Sequence, residues 1–248
     1  MKTAATIAAA SALLLSSMAE AAEIKVLSTQ ATQEAYLELV AQFEKTSGHK
    51  VTTAFTGTLN VQKRLADGER YDMIIMAGPA IDEQIKLGKV LAGSRVDFAK
   101  SGVGLAVRKG AAKPDIGSVE ALKKTLLAVK SIGYSTGPSG LYMLGVFEKL
   151  GIAGEVKGKL KQTPSGVFVG TLIASGETEV GFQQISELVH FAGLDYVGPL
   201  PGDLQRMTVF SAGVHAGAKQ ADAARALVKF ITAPAAASVI RKHGLEPA

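Results

Sequence analysis

The 248-residue chain contains no cysteine. That one absence removes disulfides, thiolate metal sites and thiol nucleophiles together. It also leaves no residue near the N-terminus to carry a lipid. Histidine is scarce: His49, His190, His215 and His243 stand far apart, with no two at metal-ligand spacing. There is no G-x-S-x-G elbow, no G-x-x-x-x-G-K-[ST] loop and no H-E-x-x-H, and GVGLAV lacks the third glycine of a dinucleotide fingerprint. No catalytic residue, metal or cofactor is expected, and the chain is not expected to be an enzyme. Lys and Arg outnumber Asp and Glu by 27 to 22. The basic residues are scattered and not interleaved with aromatics, which argues against nucleic acid as a partner. A mild positive field of this kind helps collect small anions.

Long apolar runs are missing too. The one near the N-terminus, Ala4 to Leu15, follows Lys2 and precedes small residues at Ala19 and Ala21. It is shorter than the ~20 residues a membrane span needs. The pattern is that of a secretory signal over residues 1–21, cut after Ala21. The expected location is the periplasm, without a lipid anchor, and the expected state is a monomer.

What is present is a regular alternation of strands and helices. EIKVLST leads into a helix with Tyr36, Leu39, Val40 and Phe43 on one face, ended by Gly48. KVTTAF precedes the helix in TGTLNVQKRLADG, and YDMIIMAG is apolar throughout, as in a strand buried on both faces of a parallel sheet. GVGLAVRKG, SIGYS, EVGFQ and TVFSAGVHAG continue the strands; VEALKKTLLAV, SGLYMLGVFEKLG, GVFVGTLIASG and ADAARALVKFITA continue the helices. This is an α/β protein with largely parallel sheets. The segments Val96–Gly104 and DYVGPLPGDLQRMT read as crossovers. Residues 22–100 with 202–248 are then one lobe, 101–201 the other, and a cleft lies between them.

Four times, small or polar residues lead into a helix start: STQAT at Ser28, TGTLN at Thr56, STGPSG at Ser135 and PSGVF at Pro164. Helix starts carry unpaired N–H groups and the positive end of the dipole, so each can hold an anion. Ser, Thr and Gly at such places also serve as plain caps.

AFTGTLNVQKRLADGERYDMIIMAG, PSGLY, ASGETEVGF and PAAASVIRKHGLEP, in this order and spacing, resemble the molybdate-binding proteins of ABC transporters. The resemblance spans nearly the whole chain after the signal. It implies a two-lobed type II periplasmic binding protein, each lobe a mainly parallel sheet flanked by helices. It further implies a small tetrahedral oxyanion in the cleft and a permease as partner. The matching positions are Gln30 and Ala31 in the first loop, Gly57 and Thr58 in the second, Ser139 in the third, Gly166 and Val167 in the fourth, and Gln184. Ala31 stands where the family often has a hydroxyl, and Gln184 where it often has a tyrosine. An amide both donates and accepts, which suits a di- or tricarboxylate as the alternative ligand. Glu187 is expected to face solvent or a basic residue, and Tyr142 to pack in the core. A remoter alternative is a secreted enzyme using Asp72 and Asp82.

Overall fold

The computed structural model describes residues 21–248; the signal segment, Ala21 apart, lies outside them. The first lobe opens with β1 (Glu23–Thr29), a 3-10 turn (Gln30–Thr32) and α1 (Gln33–Ser47). Next come β2 (Lys50–Thr56), α2 (Thr58–Ala66), β3 (Met73–Ala77), α3 (Gly78–Lys86) and β4 (Val96–Ser101). The chain then builds a second sheet. Its elements are β5 (Val103–Arg108), α4 (Val119–Ala128), β6 (Ile132–Tyr134), α5 (Pro138–Lys149) and α6 (Ala153–Val156). They continue with β7 (Leu160–Gln162), α7 (Val169–Ala174), β8 (Val180–Gln184), α8 (Ile185–Leu188) and β9 (Leu194–Pro199). It returns for β10 (Thr208–Val214), α9 (Ala221–Ile231), α10 (Ala237–Lys242) and β11 (Glu246–Pro247).

The two sheets run β11-β4-β10-β3-β1-β2 and β7-β6-β8-β5-β9. Both are mixed. β1 is parallel to β2 and β3, and β6 to β7 and β8, through helical crossovers. β10 is antiparallel to β3 and β4, and β5 to β8 and β9. The sequence pattern suggests mainly parallel sheets because buried antiparallel strands such as β5 and β10 are as continuously apolar as parallel ones. Both of these strands arrive from the other lobe, and that entry direction sets their sense.

β3 is buried on both faces. Met73 and Ile75 join Tyr36, Leu39 and Phe43 of α1 and Leu227 and Ile231 of α9, while Ile74 and Met76 meet Val61 and Leu65 of α2 and Ile81 of α3. In the second lobe, Leu105 and Phe182 pack on Leu122 of α4 and Phe147 of α5; Ala106 packs with Val169 and Ile173 of α7 on the other face. Each sheet is thus covered twice, so the loops at its ends are where a ligand can reach it.

Two stretches join the lobes: Gly102 between β4 and β5, and residues 200–207 between β9 and β10. Gln205 clasps them together. Its Oε1 accepts from Val103 N and its Nε2 donates to Val103 O, both at 2.9 Å. Tyr142, expected in the core, is partly buried there and its hydroxyl donates to Leu204 O at 3.0 Å on the returning stretch. Among the described residues no single helix is long and apolar enough to cross a membrane.

Candidate functional site

The loops at the strand ends of both lobes face one another around a small cavity. Its walls are Thr29, Gln30 and Ala31 after β1, Gly57 and Thr58 after β2, and Ser135 to Ser139 after β6. Pro164, Gly166 and Val167 after β7, Gln183, Gln184 and Glu187 around the end of β8, and Phe210 complete it. All eight positions singled out from sequence line this one cavity. The space open to the centre of a water-sized sphere is about 40 Å³. One water needs roughly 10–15 Å³ by that measure, so the room is for a compact group of a few atoms.

Among the described residues the lining contains no Lys or Arg. Its donors are neutral, and the helix ends supply them without capping. Gly57 and Gly137 are the cap residues before α2 and α5, and neither helix has a side chain capping its first turn. α4, outside the cavity, is capped in the ordinary way by Ser118 Oγ, which accepts from Ala121 N at 3.1 Å. The free first-turn N–H groups of α2 and α5 therefore remain available to an anion. Ser139 is buried, with its hydroxyl 3.5 Å from that of Ser135. Thr29 Oγ1 is buried with no hydrogen-bond partner. A buried hydroxyl without a partner is uncommon, and this one belongs to the cavity wall.

Several of these positions also make contacts within the protein. Gln30 Nε2 donates to Gly166 O at 3.0 Å, tying one lobe to the other. Val167 N donates to Pro164 O at 3.1 Å, so its N–H closes a turn. The fourth loop is that turn: α7 begins later, at Val169, and Gly166 has φ +83. Ala31 O accepts from Ser186 Oγ at 2.7 Å. Gln184 is buried, and its amide serves the crossing strands. With the oxygen accepting from Thr208 Oγ1 at 3.1 Å, the NH₂ group donates to Ser101 O at 3.0 Å. The amide oxygen thus faces the hinge while the residue lines the cavity.

Glu187 departs from its expected place. It is half-buried on the cavity wall, and among the described residues no basic side chain pairs with it. Burial pushes its pKa up to about 8, with hydrogen bonds from Gln183 and the Gln184 backbone offsetting only part of that. At neutral pH the carboxyl is mostly protonated. Among the described residues it is the one carboxyl group on the wall. Sequence spacing hides it, because α8 is a single turn and its direction is set by the β8 end. Asp72 and Asp82 lie elsewhere. Asp72 is buried and accepts from Lys25, Lys219 and Gln220 N at 2.7–2.8 Å. Asp82 pairs with Arg95. Thr29, Ser135, Gln183 and Phe210 also line the cavity without having been marked from sequence; the loops STQAT and STGPSG held the signal for the first two.

A family described as "Bacterial extracellular solute-binding protein" matches residues 24–246. The aconitate isomerase of Pseudomonas sp is 34% identical over 230 residues, covering 90% of this chain and 87% of that protein. The molybdate-binding protein ModA of Azotobacter vinelandii is 31% identical over 235 residues, covering 93% and 92%. The solved periplasmic molybdate-binding protein of Azotobacter vinelandii shares the fold, with TM-score 0.77 at 21% identity over 90% of this chain and 98% of that one. The two-lobed α/β architecture and the likeness to molybdate-type binding proteins stand. The expectation that the chain is no enzyme does not: a relative this similar, over this much of the chain, is named as an isomerase. The motifs absent from this sequence are those of preformed catalytic groups, and the Glu187 carboxyl on the cavity wall belongs to none of them.

Proposed function

Because the chain belongs to the bacterial extracellular solute-binding protein family, we propose that its cleft closes on a small carboxylate anion and shifts a proton on it: an isomerase on a binding-protein frame. The observation that carries this is Glu187, an acid with a pKa near 8 in a cavity otherwise lined by neutral donors. A group titrating close to working pH can both take and return a proton. In such an isomerisation the Glu187 carboxylate removes a proton from a carbon beside a substrate carboxylate and next to a double bond. The C–H electron pair becomes the new double bond, the old one moves its electrons to the far carbon, and Glu187 returns the proton there. Composition is unchanged and no co-reactant is needed. The first-turn N–H groups of α2 and α5, with the Thr29 and Ser135 hydroxyls, stabilise the charge that develops on the carboxylate.

A second reading is a carrier for a molybdate-like oxyanion. The cation-free wall of hydroxyls and N–H groups favours it, as does the ModA relative. In both readings the protein works in the periplasm as a monomer, and in the second it hands its anion to an ABC permease.

The test is to incubate the protein with cis-aconitate in D₂O and follow trans-aconitate and deuterium incorporation by NMR. We expect interconversion with label uptake, and a loss of 10²-fold or more in Glu187→Gln while ligand still raises its melting temperature. Turnover that survives in Glu187→Gln sinks the proton-transfer role. No turnover, with thermal stabilisation by molybdate alone, hands the site to the oxyanion reading.

A further inference from the structure

The small cavity cannot hold a di- or tricarboxylate by itself, and a second cavity adjoins it. The two share Thr58, Thr136, Gly137 and Pro138, so the start of α5 forms the sill between them. The second is much larger, about 680 Å³. It is a groove between the lobes, walled by α2 and α3 on one side and by α5 and the returning 200–207 stretch on the other.

Two guanidinium groups line this groove, in different electrostatic situations. Arg95 is consumed: its nitrogens meet Asp82 at 2.5 Å and Asp97 at 2.9 Å. Arg206 has no carboxylate partner among the described residues. Its guanidinium carbon lies 5.2 Å from the centroid of the Tyr142 ring, and the Tyr142 hydroxyl is itself held by Leu204 O. Stacking on an anchored ring orients the planar fork while leaving its N–H edge open. A planar fork with free donors matches a carboxylate in two-point contact. Asp82, the acid of the groove, is already neutralised by Arg95, so it does not compete.

We propose that Arg206 binds a second carboxylate of an elongated ligand whose first carboxylate occupies the small cavity. Arg206 then sets specificity for di- and tricarboxylates over compact monoanions and inorganic oxyanions. This deepens the carboxylate reading above and rests on it. The placement also engages the hinge directly. Arg206 N donates to Gln205 Oε1 at 2.9 Å, the same atom that accepts from Val103 N. A carboxylate held at Arg206 thus tightens the clasp between the two crossing stretches.

The test is calorimetric titration of the purified protein, Arg206→Gln and Arg206→Lys with propane-1,2,3-tricarboxylate, acetate and molybdate. The first of these is saturated and so does not turn over. We expect Arg206→Gln to weaken the tricarboxylate about tenfold or more, the range for one charge-assisted contact. Arg206→Lys should fall between, since it keeps the charge and loses the fork. Acetate and molybdate should be unaffected. Unchanged tricarboxylate affinity in Arg206→Gln, with tight binding by the parent, overturns the role of Arg206 alone. A parent protein that binds no carboxylate overturns the carboxylate reading itself. Arg206 is exposed, so its variants should fold, and a circular-dichroism melt checks it.

Discussion

At the scale of single residues, burial decides what each acid does. Glu187 keeps its proton to about pH 8, against an ordinary value of 4.5. Below about 4.5 it is protonated in the folded and the unfolded chain alike. Between there and about 8 the unfolded chain releases the proton and the folded one retains it. Its contribution to stability is therefore full below the lower value, falls as pH rises through the window, and is gone above about 8. Glu187→Gln removes this titration. Its melting temperature should match the parent's near pH 4.5 and exceed it increasingly towards pH 8; an offset independent of pH would mean that the carboxyl is hydrated in the fold. Asp72 is held by hydrogen bonds, since three backbone N–H groups donate to its carboxylate. Asp72→Ala strands these donors and should cost about 3 kcal/mol of stability in urea unfolding. An effect within 0.5 kcal/mol, the size of an ordinary surface change, would show that water replaces them.

At the scale of elements, α5 is the piece that brings strand chemistry to the cleft. Pro138 starts it, and its first turn lies against the loop after β6 so closely that a Cβ on Gly140 would sit 1.9 Å from Ser135 O. Gly145, on the exposed side of the same helix, has nothing within 4 Å of that position. Gly140→Ala must push the helix start away from Ser135, at about 2 kcal/mol and roughly 4–8 °C in Tm. Gly145→Ala should instead hold or raise Tm, by up to about 1 kcal/mol of stability from helix propensity. Equal effects of the two changes in thermal melts would show that the contact at Ser135 gives way freely. α2 has the same property at its cap: a Cβ on Gly57 would stand 2.5 Å from Ser165 Oγ and 2.8 Å from Gly166 N. That contact crosses between lobes, so Gly57→Ala should spare stability and lower ligand affinity.

At the scale of the molecule, a short set of polar contacts holds the cleft shut. Gln30 reaches Gly166 O, Asn60 Nδ2 donates to Ser165 O at 3.0 Å, and Ser186 Oγ donates to Ala31 O. Behind the cleft, His243 approaches His190 at 3.2 Å and Glu38 at 2.7 Å, joining the C-terminal end of the first lobe to the second. Asn60 lies outside the cavity wall, so Asn60→Ala removes a closing contact and no ligand donor. One neutral hydrogen bond contributes about 1 kcal/mol, so the variant should bind its ligand roughly fivefold more weakly. Its unliganded scattering profile should show a larger radius of gyration than the parent's. Identical profiles with weaker binding would make Asn60 a ligand contact and not a latch.

The sequence by itself determined the class of the molecule and the loops that matter. Alternating apolar patterns needed only local spacing, so the α/β order was legible. Hydroxyls and glycines before helix starts marked four loops, and the resemblance to molybdate-binding proteins implied Gln30, Ala31, Gly57, Thr58, Ser139, Gly166, Val167 and Gln184 as one group. Three things only the tertiary structure decided. Strand sense in β5 and β10 depends on the lobe from which each arrives, which local spacing does not encode. Donor availability depends on long-range partners: Gln30, Val167 and Gln184 are each engaged by groups that folding brings up to them. The raised pKa of Glu187 depends on desolvation, and a carboxyl is identical in sequence whether it faces water or lines a cavity where, among the described residues, no cation pairs with it.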